Sequence, residues 1–292
     1  MKRGILEVGP WARDKLERLR KYLSAYTSIM NKQNWLEGYV YVDAFAGSGR
    51  IKLRRQGSLS KQQISLDLSL LEESEAEELL NGSPRVALEI EPPFTHYVFL
   101  ERDPERLHML QSLKKEYADK RKIAVRRGDC NEYLDQRLIH NKRLDWKKWR
   151  GVVFLDPFGM QVPWKTIKGL ADTKALEVFL NFPVGMAIQR LLKKTAQFTA
   201  PQRAKLDDYF GDPGWFEVVY PQSRGLFGSM PTKAPDAEER LVNWYRKRLQ
   251  GVFRYVSHAR LVTNSRGGHL YFLVFAGPNK TGAKIADEIL RA

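Results

Sequence analysis

The chain has 292 residues, of which 43% are hydrophobic, and its formal net charge at pH 7 is +15. This length and composition suffice for a packed core in one large α/β domain or two small ones. No run of eighteen apolar residues occurs, and the acidic Glu7 interrupts the amino terminus, so we predict neither a membrane span nor a secretion signal.

The cysteine and histidine content indicates a cytoplasmic protein without a metal site. The one cysteine, Cys130, has no partner for an internal disulfide and cannot form a cysteine cluster for zinc, which fits a reducing compartment. The five histidines are scattered along the chain. We therefore expect no metal cofactor, no membrane association and a cytoplasmic location.

The positive charge is unevenly distributed. Residues 67–91 hold eight acids against one base and carry −7, so the remainder carries +22 to reach the total of +15. Such an excess favours a polyanionic partner, because lysines and arginines that neutralise phosphates release condensed counterions. Nucleic acid is the leading candidate; the alternative is that lysine-rich helices only keep the protein soluble.

Apolar patterns along the chain predict strands alternating with helices. An amphipathic helix at 13–30 comes first. Strands are predicted at 39–44, 96–101, 123–127, 151–156, 177–182, 253–262 and 269–276, and helices at 84–90, 104–119, 163–171, 185–198 and 236–250. The alternation predicts a Rossmann-like α/β fold with helices on both faces of a mostly parallel sheet. The last two strands are joined by too few residues for a helix, so they should form an antiparallel hairpin.

Two segments interrupt this pattern within what we expect to be a single domain spanning residues 1–292. Residues 51–81 are rich in Ser, Gln and Glu and are interpreted as an insertion, helical at 67–80. Residues 211–235 are rich in Gly and Pro and are predicted to be irregular, either covering the site or connecting elements.

The first strand runs into a turn of small residues. Glycine lets such a turn bend sharply and approach a ligand closely, because it has no Cβ. A dinucleotide fingerprint would need a third glycine three residues further on, which this chain lacks, so a nicotinamide site is disfavoured. We predict that the turn binds a cofactor through Asp43, Phe45, Ala46, Gly47 and Gly49; the alternative is an ordinary turn after a buried strand.

Acids also follow the second and third strands. Glu101 could accept hydrogen bonds from ribose hydroxyls, while Asp103 is the better cap for the helix after it. Asp129 could accept from an adenine amino group, or could cap the helix that follows. Cys130 is best explained as a small residue at the wall of the cofactor site, not as a nucleophile.

The fourth strand delivers a carboxylate to its end, in the sequence Asp156-Pro157-Phe158-Gly159. The Asp156 carboxylate and the Pro157 carbonyl could accept both hydrogens of an exocyclic amine, while Phe158 stacks on the base. These three residues are the predicted catalytic residues. The alternative is an Asp-Pro turn in which Phe158 only packs.

The ends of these four strands resemble a known family. Asp43–Gly49, Glu101, Asp129 and Asp156–Gly159, closed by a hairpin, are similar to class I S-adenosylmethionine-dependent methyltransferases over about residues 38–276. More narrowly, residues 15–23, 41–49 and 82–88 resemble the three-Cys-motif partner protein family. The broader resemblance implies S-adenosylmethionine as cofactor, with the loop at its methionine part, Glu101 at its ribose and Asp129 at its adenine. The narrower one implies a separate partner protein with three cysteines.

The chain departs from the methyltransferase pattern in two places. The spacing from Asp43 to Glu101 is longer than usual, which the insertion would explain. Adenine amino-methyltransferases usually have Asp-Pro-Pro-aromatic, whereas Asp156-Pro157-Phe158-Gly159 is similar to the motif of tRNA guanine-N2 methyltransferases, so the target base stays open.

Clusters of basic residues extend the prediction to the substrate. Lysines and arginines at 142–150 surround Trp146 and Trp149, which suits phosphate contact plus stacking on an unpaired base; alternatively these tryptophans are packing residues. The sequence therefore predicts a methyltransferase acting on an exocyclic amine of a base in nucleic acid, RNA rather than DNA. The alternative function is a non-catalytic module that binds nucleic acid or a partner protein.

Overall fold

A computed structural model describes residues 6–8, 11–53, 78–221 and 231–292. The first half contains β1 (Leu6–Val8), α1 (Trp11–Met30), β2 (Gly38–Asp43), β3 (Arg50–Leu53), β4 (Glu78–Asn81), α2 (Ser83–Leu88), β5 (His96–Glu101), α3 (Pro104–Glu116), β6 (Ile123–Arg127) and α4 (Cys130–Tyr133). The second half contains β7 (Trp149–Leu155), α5 (Trp164–Asp172), β8 (Leu176–Phe182), α6 (Gln189–Leu191), α7 (Ala200–Phe210), α8 (Trp215–Val219), α9 (Ala237–Val252), β9 (Tyr255–Val256), β10 (Arg260–Thr263), β11 (His269–Gly277) and α10 (Lys280–Arg291). Short π-helical stretches follow α4, at Leu134–Ile139, and precede α6, at Val184–Ile188.

The main sheet has the strand order β10-β11-β8-β7-β2-β5-β6. Strands β2, β5, β6, β7 and β8 are parallel, and β11 runs antiparallel between β8 and β10. This confirms the predicted class I methyltransferase-like fold, with its mostly parallel sheet and C-terminal antiparallel hairpin. Parallel strands place their carboxyl ends along one edge, so the predicted site residues of β2, β5, β6 and β7 share that edge.

The central strand β2 shows why the sheet is covered on both faces. All six of its residues are buried. Val40 and Val42 belong to a core packed against α5, α7 and α9, whereas Tyr39 and Tyr41 belong to a second core beneath α1, α2, α3 and α10. Because side chains alternate between faces along a strand, a strand that is buried at every position needs a helix layer on each side.

The strand predicted at 253–262 is wrong as one element. It consists of β9 and β10, which both pair with β11. Between them the backbone N–H of His258 donates to Asp287 Oδ1 at 2.8 Å instead of to the neighbouring strand. Asp287 on α10 thus supplies the acceptor for the His258 N–H, and the β-ladder is interrupted between β9 and β10.

The segment predicted as an insertion begins and ends in a small sheet. β3 pairs with β1 in parallel and with β4 in antiparallel, and Gly82 N donates to Gly49 O at 3.0 Å where the two ends meet. The helix predicted at 67–80 is wrong for residues 78–80, which belong to β4. The rest of that range, and the insertion between residues 54 and 77, lies outside the described residues.

Two further predictions are corrected beyond β8. The helix predicted at 185–198 ends at Leu191, and a new helix, α7, starts after Thr199, whose side chain accepts from Gln202 N in a capping box. The stretch predicted to be irregular at 211–235 contains α8, whose Trp215 and Val219 are fully buried. This part of the stretch belongs to the core and does not cover the site; residues 222–230 lie outside the described residues.

Candidate functional site

A pocket of about 530 Å³ opens at the carboxyl edge of the sheet. Its volume lies in the range of roughly 300–1,000 Å³ that is typical of small-molecule sites. The walls come from α1, from the turns after β2, β5, β6, β7 and β8, and from β11. The sequence-predicted residues on these walls are Phe45, Ala46, Gly47, Gly49, Glu101, Asp129, Cys130, Asp156, Pro157 and Phe158.

The glycine turn forms an open cradle. Gly47 has φ +63°, and a Cβ there would meet no atom within 4 Å, so its backbone conformation and not crowding requires glycine. Gly49 has φ +76°, and its Cβ would lie 2.8 Å from Leu113 Cδ2 on α3. Gly128, at φ +146°, also faces open space. Backbone that borders open space at Gly47 and Gly128 fits a ligand lying flat along the strand ends.

Asp43 is the one predicted cofactor-binding residue that does not line the pocket. It is fully buried, and its carboxylate accepts from Phe45 N and from the Tyr41 hydroxyl, each at 3.2 Å. Burial raises the pKa of Asp43 to about 7. Asp43 therefore holds the turn in shape from beneath and leaves ligand contact to the residues above it.

Glu101 lies at the end of β5 and lines the pocket. Its Oε1 accepts from the backbone N–H groups of Arg102 and Asp103, both at 2.8 Å, and Oε2 accepts no hydrogen bond from the residues that the structure describes. The prediction that Asp103 caps the next helix is confirmed, since its side chain accepts from Glu105 N and Arg106 N.

Asp129 caps a helix and also lines the pocket. Its Oδ1 accepts from Asn131 N at 2.8 Å and Glu132 N at 3.3 Å, which is the capping alternative. Within the described part of the chain, Oδ2 accepts no hydrogen bond. Cys130 beside it is buried, and burial raises the pKa of its thiol to about 12. A thiol that stays protonated at neutral pH is a wall residue and not a nucleophile.

The carboxylate of Asp156, at the end of β7, accepts hydrogen bonds from two sides. Asn181 Nδ2, at the end of β8, donates to its Oδ1 at 2.6 Å, and Lys15 Nζ, from α1, donates to its Oδ2 at 2.5 Å. The side chains of Lys15 and Asp156 are 12% and 22% exposed. An ionised carboxylate has about four lone-pair positions, so each oxygen keeps one for a further donor.

The turn after Asp156 is held by hydrogen bonds that present an aromatic face. Phe158 N donates to Gln161 Oε1 at 3.0 Å, and Gln161 O accepts from Asn131 Nδ2 at 2.8 Å. Phe158 itself is 49% exposed. A large apolar side chain left open at the rim of a pocket is suited to stacking on a planar ligand.

Sequence reasoning missed three residues near Asp156: Lys15, Asn181 and Tyr271. Asn181 carried a usable signal, because it is a polar residue near the end of an otherwise apolar strand, as Asp156 is. Lys15 is one of several charged residues on an amphipathic helix, and Tyr271 lies within a hairpin strand. Nothing local in the sequence separates these two from their neighbours.

The tryptophans among the basic residues at 142–150 are packing residues. Trp149 starts β7, at the opposite end of that strand from Asp156, and its ring lies 5.3 Å from that of His96. Gly38 makes room for it, since a Cβ there would be 2.6 Å from the Trp149 ring. Trp146 packs against the core. Among the described residues, the basic side chains on the pocket itself are Lys15, Arg50, Arg102 and Arg106.

Over the part of the chain that the structure describes, no helix is long and apolar enough to cross a membrane. No group of three or more His, Cys, Asp or Glu side chains is placed to hold a metal ion in that same part.

Comparison with known proteins gives a likeness in fold. No family model matches the chain, and no curated protein matches it in sequence. Among solved structures, a Legionella pneumophila protein assigned to the family DUF519 aligns with a TM-score of 0.53 at 13% identity, covering 99% of this chain and 92% of that one. Looser alignments include a Klebsiella pneumoniae protein proposed to be an O-methyltransferase, with TM-score 0.41, 10% identity and 92% and 90% coverage. A DUF574 family protein from Streptomyces avermitilis aligns with a TM-score of 0.37 at 9% identity, covering 90% of this chain and 83% of that one.

Proposed function

We propose that this chain is an S-adenosylmethionine-dependent methyltransferase that modifies an exocyclic amine of a base in nucleic acid, with RNA favoured over DNA. The observation that carries the proposal is that residues far apart in sequence line one pocket at the carboxyl edge of a methyltransferase-like sheet. These residues are the glycine turn, Glu101, Asp129 and Asp156–Phe158.

The cofactor end of the pocket suits S-adenosylmethionine. The open space in front of Gly47 would admit its methionine part, Glu101 Oε2 would accept from its ribose, and Asp129 Oδ2 from its adenine. When bound, the cofactor supplies an electrophilic methyl group.

The acceptor end suits an amine on a planar base. Asp156 and the Pro157 carbonyl accept its two hydrogens, which orients the amine, and Phe158 stacks on the ring. Lys15 and Asn181 fix the Asp156 carboxylate in place by one hydrogen bond to each oxygen. No separate base is needed before methyl transfer, because the amine can release its proton afterwards.

The charge of the chain favours a polyanionic substrate. Its net charge is +15, and Arg50, Arg102 and Arg106 lie on the pocket wall, where they can meet phosphates beside a base in the pocket. A base within a duplex cannot reach Asp156, so the substrate presents an unpaired base or one that is flipped out.

The experiment combines calorimetry with transfer of a tritium-labelled methyl group to bulk RNA and bulk DNA. We expect S-adenosylmethionine to bind the wild type and Asp156→Ala alike, and we expect label in nucleic acid only with the wild type. Failure of the wild type to bind S-adenosylmethionine would refute the proposal.

A second candidate is a non-catalytic module that binds nucleic acid or a partner protein, such as the three-cysteine protein that the family resemblance implies. The observation that favours it is that both oxygens of Asp156 already accept hydrogen bonds from the chain itself. This candidate predicts RNA or partner binding that survives Asp156→Ala, with no methyl transfer by the wild type.

A further inference from the structure

The ammonium group of Lys15 lies at the acceptor end of the pocket. Helix α1 brings it to Asp156, 2.5 Å from Oδ2, and the residue lines the pocket together with Asp156 and Phe158. Its Nζ also lies 5.3 Å from the centroid of the Tyr271 ring. A lysine has three N–H donors, and among the described residues one of them meets a hydrogen-bond acceptor. The others can donate to a ligand.

A donor and an acceptor therefore stand side by side where the base would enter. Asp156 can accept from an amine, and Lys15 can donate to an atom next to it. The bases that carry an exocyclic amine have this pattern, because a ring nitrogen acceptor adjoins the amine: N1 in adenine, and N3 in cytosine and in guanine. Uracil has no exocyclic amine to offer.

We propose that Lys15 is a specificity-determining residue that donates a hydrogen bond to the ring nitrogen next to the target amine. This inference rests on the proposed function and assigns a substrate contact to a residue of the amino-terminal helix. A purely structural role, in which Lys15 only holds α1 against the sheet through Asp156, makes a different prediction, since it does not depend on any atom of the base.

The test pairs a change in the protein with a change in one ligand atom. Affinities of adenosine, cytidine and guanosine 5′-monophosphates are measured by calorimetry with saturating S-adenosylhomocysteine. The matching 1-deazaadenosine, 3-deazacytidine and 3-deazaguanosine monophosphates replace the ring nitrogen by C–H. The proteins are the wild type, Lys15→Met and Lys15→Arg, with Lys21→Met as the control because Lys21 is an exposed lysine on the same helix.

For at least one base, the wild type and Lys21→Met should bind the deaza nucleotide roughly 10-fold more weakly than the natural one, because one hydrogen bond to a charged donor is lost. Lys15→Met should bind both with equal affinity, and Lys15→Arg should regain part of the difference. A Lys15→Met variant that keeps the wild-type ratio, or a wild type that binds no nucleotide or does not discriminate, overturns the inference.

The two proposals fail separately. Methyl transfer to RNA by a wild type that shows no deaza effect leaves the proposed function standing and removes the role of Lys15. A wild type that neither binds S-adenosylmethionine nor transfers a methyl group removes both.

Discussion

Glutamine at position 177 should change how stability depends on pH. Glu177 is the second residue of β8 and is 4% exposed, and its Oε2 accepts from the Tyr22 hydroxyl at 2.5 Å. Burial raises the pKa of Glu177 from 4.5 to about 7. Between these pH values the folded state keeps a proton that the unfolded chain has released, so the free energy of unfolding falls as pH rises.

The magnitude follows from the change in pKa. A shift from 4.5 to about 7 corresponds to roughly 3 kcal/mol of stability lost between pH 4.5 and pH 8. Glutamine keeps an oxygen for the Tyr22 hydroxyl and carries no charge at any pH. The free energy of unfolding of Glu177→Gln, relative to the wild type, should therefore rise by about 3 kcal/mol from pH 4.5 to pH 8.

Denaturation by urea at a series of pH values gives this difference. The pH-dependent contributions of other groups, including the buried Asp43, cancel in this difference because those groups are present in both proteins. The matched control is Glu17→Gln, whose carboxylate is 52% exposed in an i,i+4 pair with Lys21 and whose relative stability should stay nearly flat. A Glu177→Gln difference that is flat between pH 4.5 and 8 would contradict a raised pKa for Glu177 in the folded protein.

Three further predictions concern the pocket. A double-mutant cycle of Lys15→Met and Asp156→Asn should give a coupling of about 1 to 3 kcal/mol in urea denaturation, because the pair is partly buried; additive effects would contradict the ion pair. Gly47→Ala, at φ +63°, should cost about 1 to 2 kcal/mol of stability and weaken S-adenosylmethionine binding. The control Gly251→Ala, in α9 with open space around it, should instead stabilise the protein by about 0.5 to 1 kcal/mol. Equal effects of the two substitutions in thermal melts would count against a strained turn at Gly47. Phe158→Ala should weaken RNA binding by about 1 to 3 kcal/mol in a filter-binding assay and leave S-adenosylmethionine affinity unchanged. Loss of affinity for both ligands would contradict a role of Phe158 in stacking on the base alone.

The strand ends could be predicted because their signal is local. An apolar run that stops at Asp156, or at Glu101, predicts both the strand and the side chain presented at its end. Parallel topology then brings such ends to one edge without further information. Likewise, the alternation of strands and helices was enough to predict that these strands run parallel.

The contacts that complete the site could not be predicted because they join distant parts of the chain. Lys15 meets Asp156 across 141 residues of sequence, and no pattern around Lys15 distinguishes it from other charges on α1. The packing of Trp149 likewise depends on the space at Gly38, more than a hundred residues earlier. Sequence composition placed both tryptophans among lysines, but exposure is decided by tertiary packing.

The proposed function requires the pocket at the carboxyl edge of the sheet to transfer a methyl group with Asp156 at its acceptor end. The decisive experiment is transfer of a tritium-labelled methyl group from S-adenosylmethionine to bulk RNA by the wild type and by Asp156→Ala. We expect labelled RNA with the wild type and a loss of at least about 100-fold with the variant, since about 3 kcal/mol of transition-state stabilisation would be removed. Equal labelling by both proteins, or no labelling by the wild type, would rule out this role of the pocket.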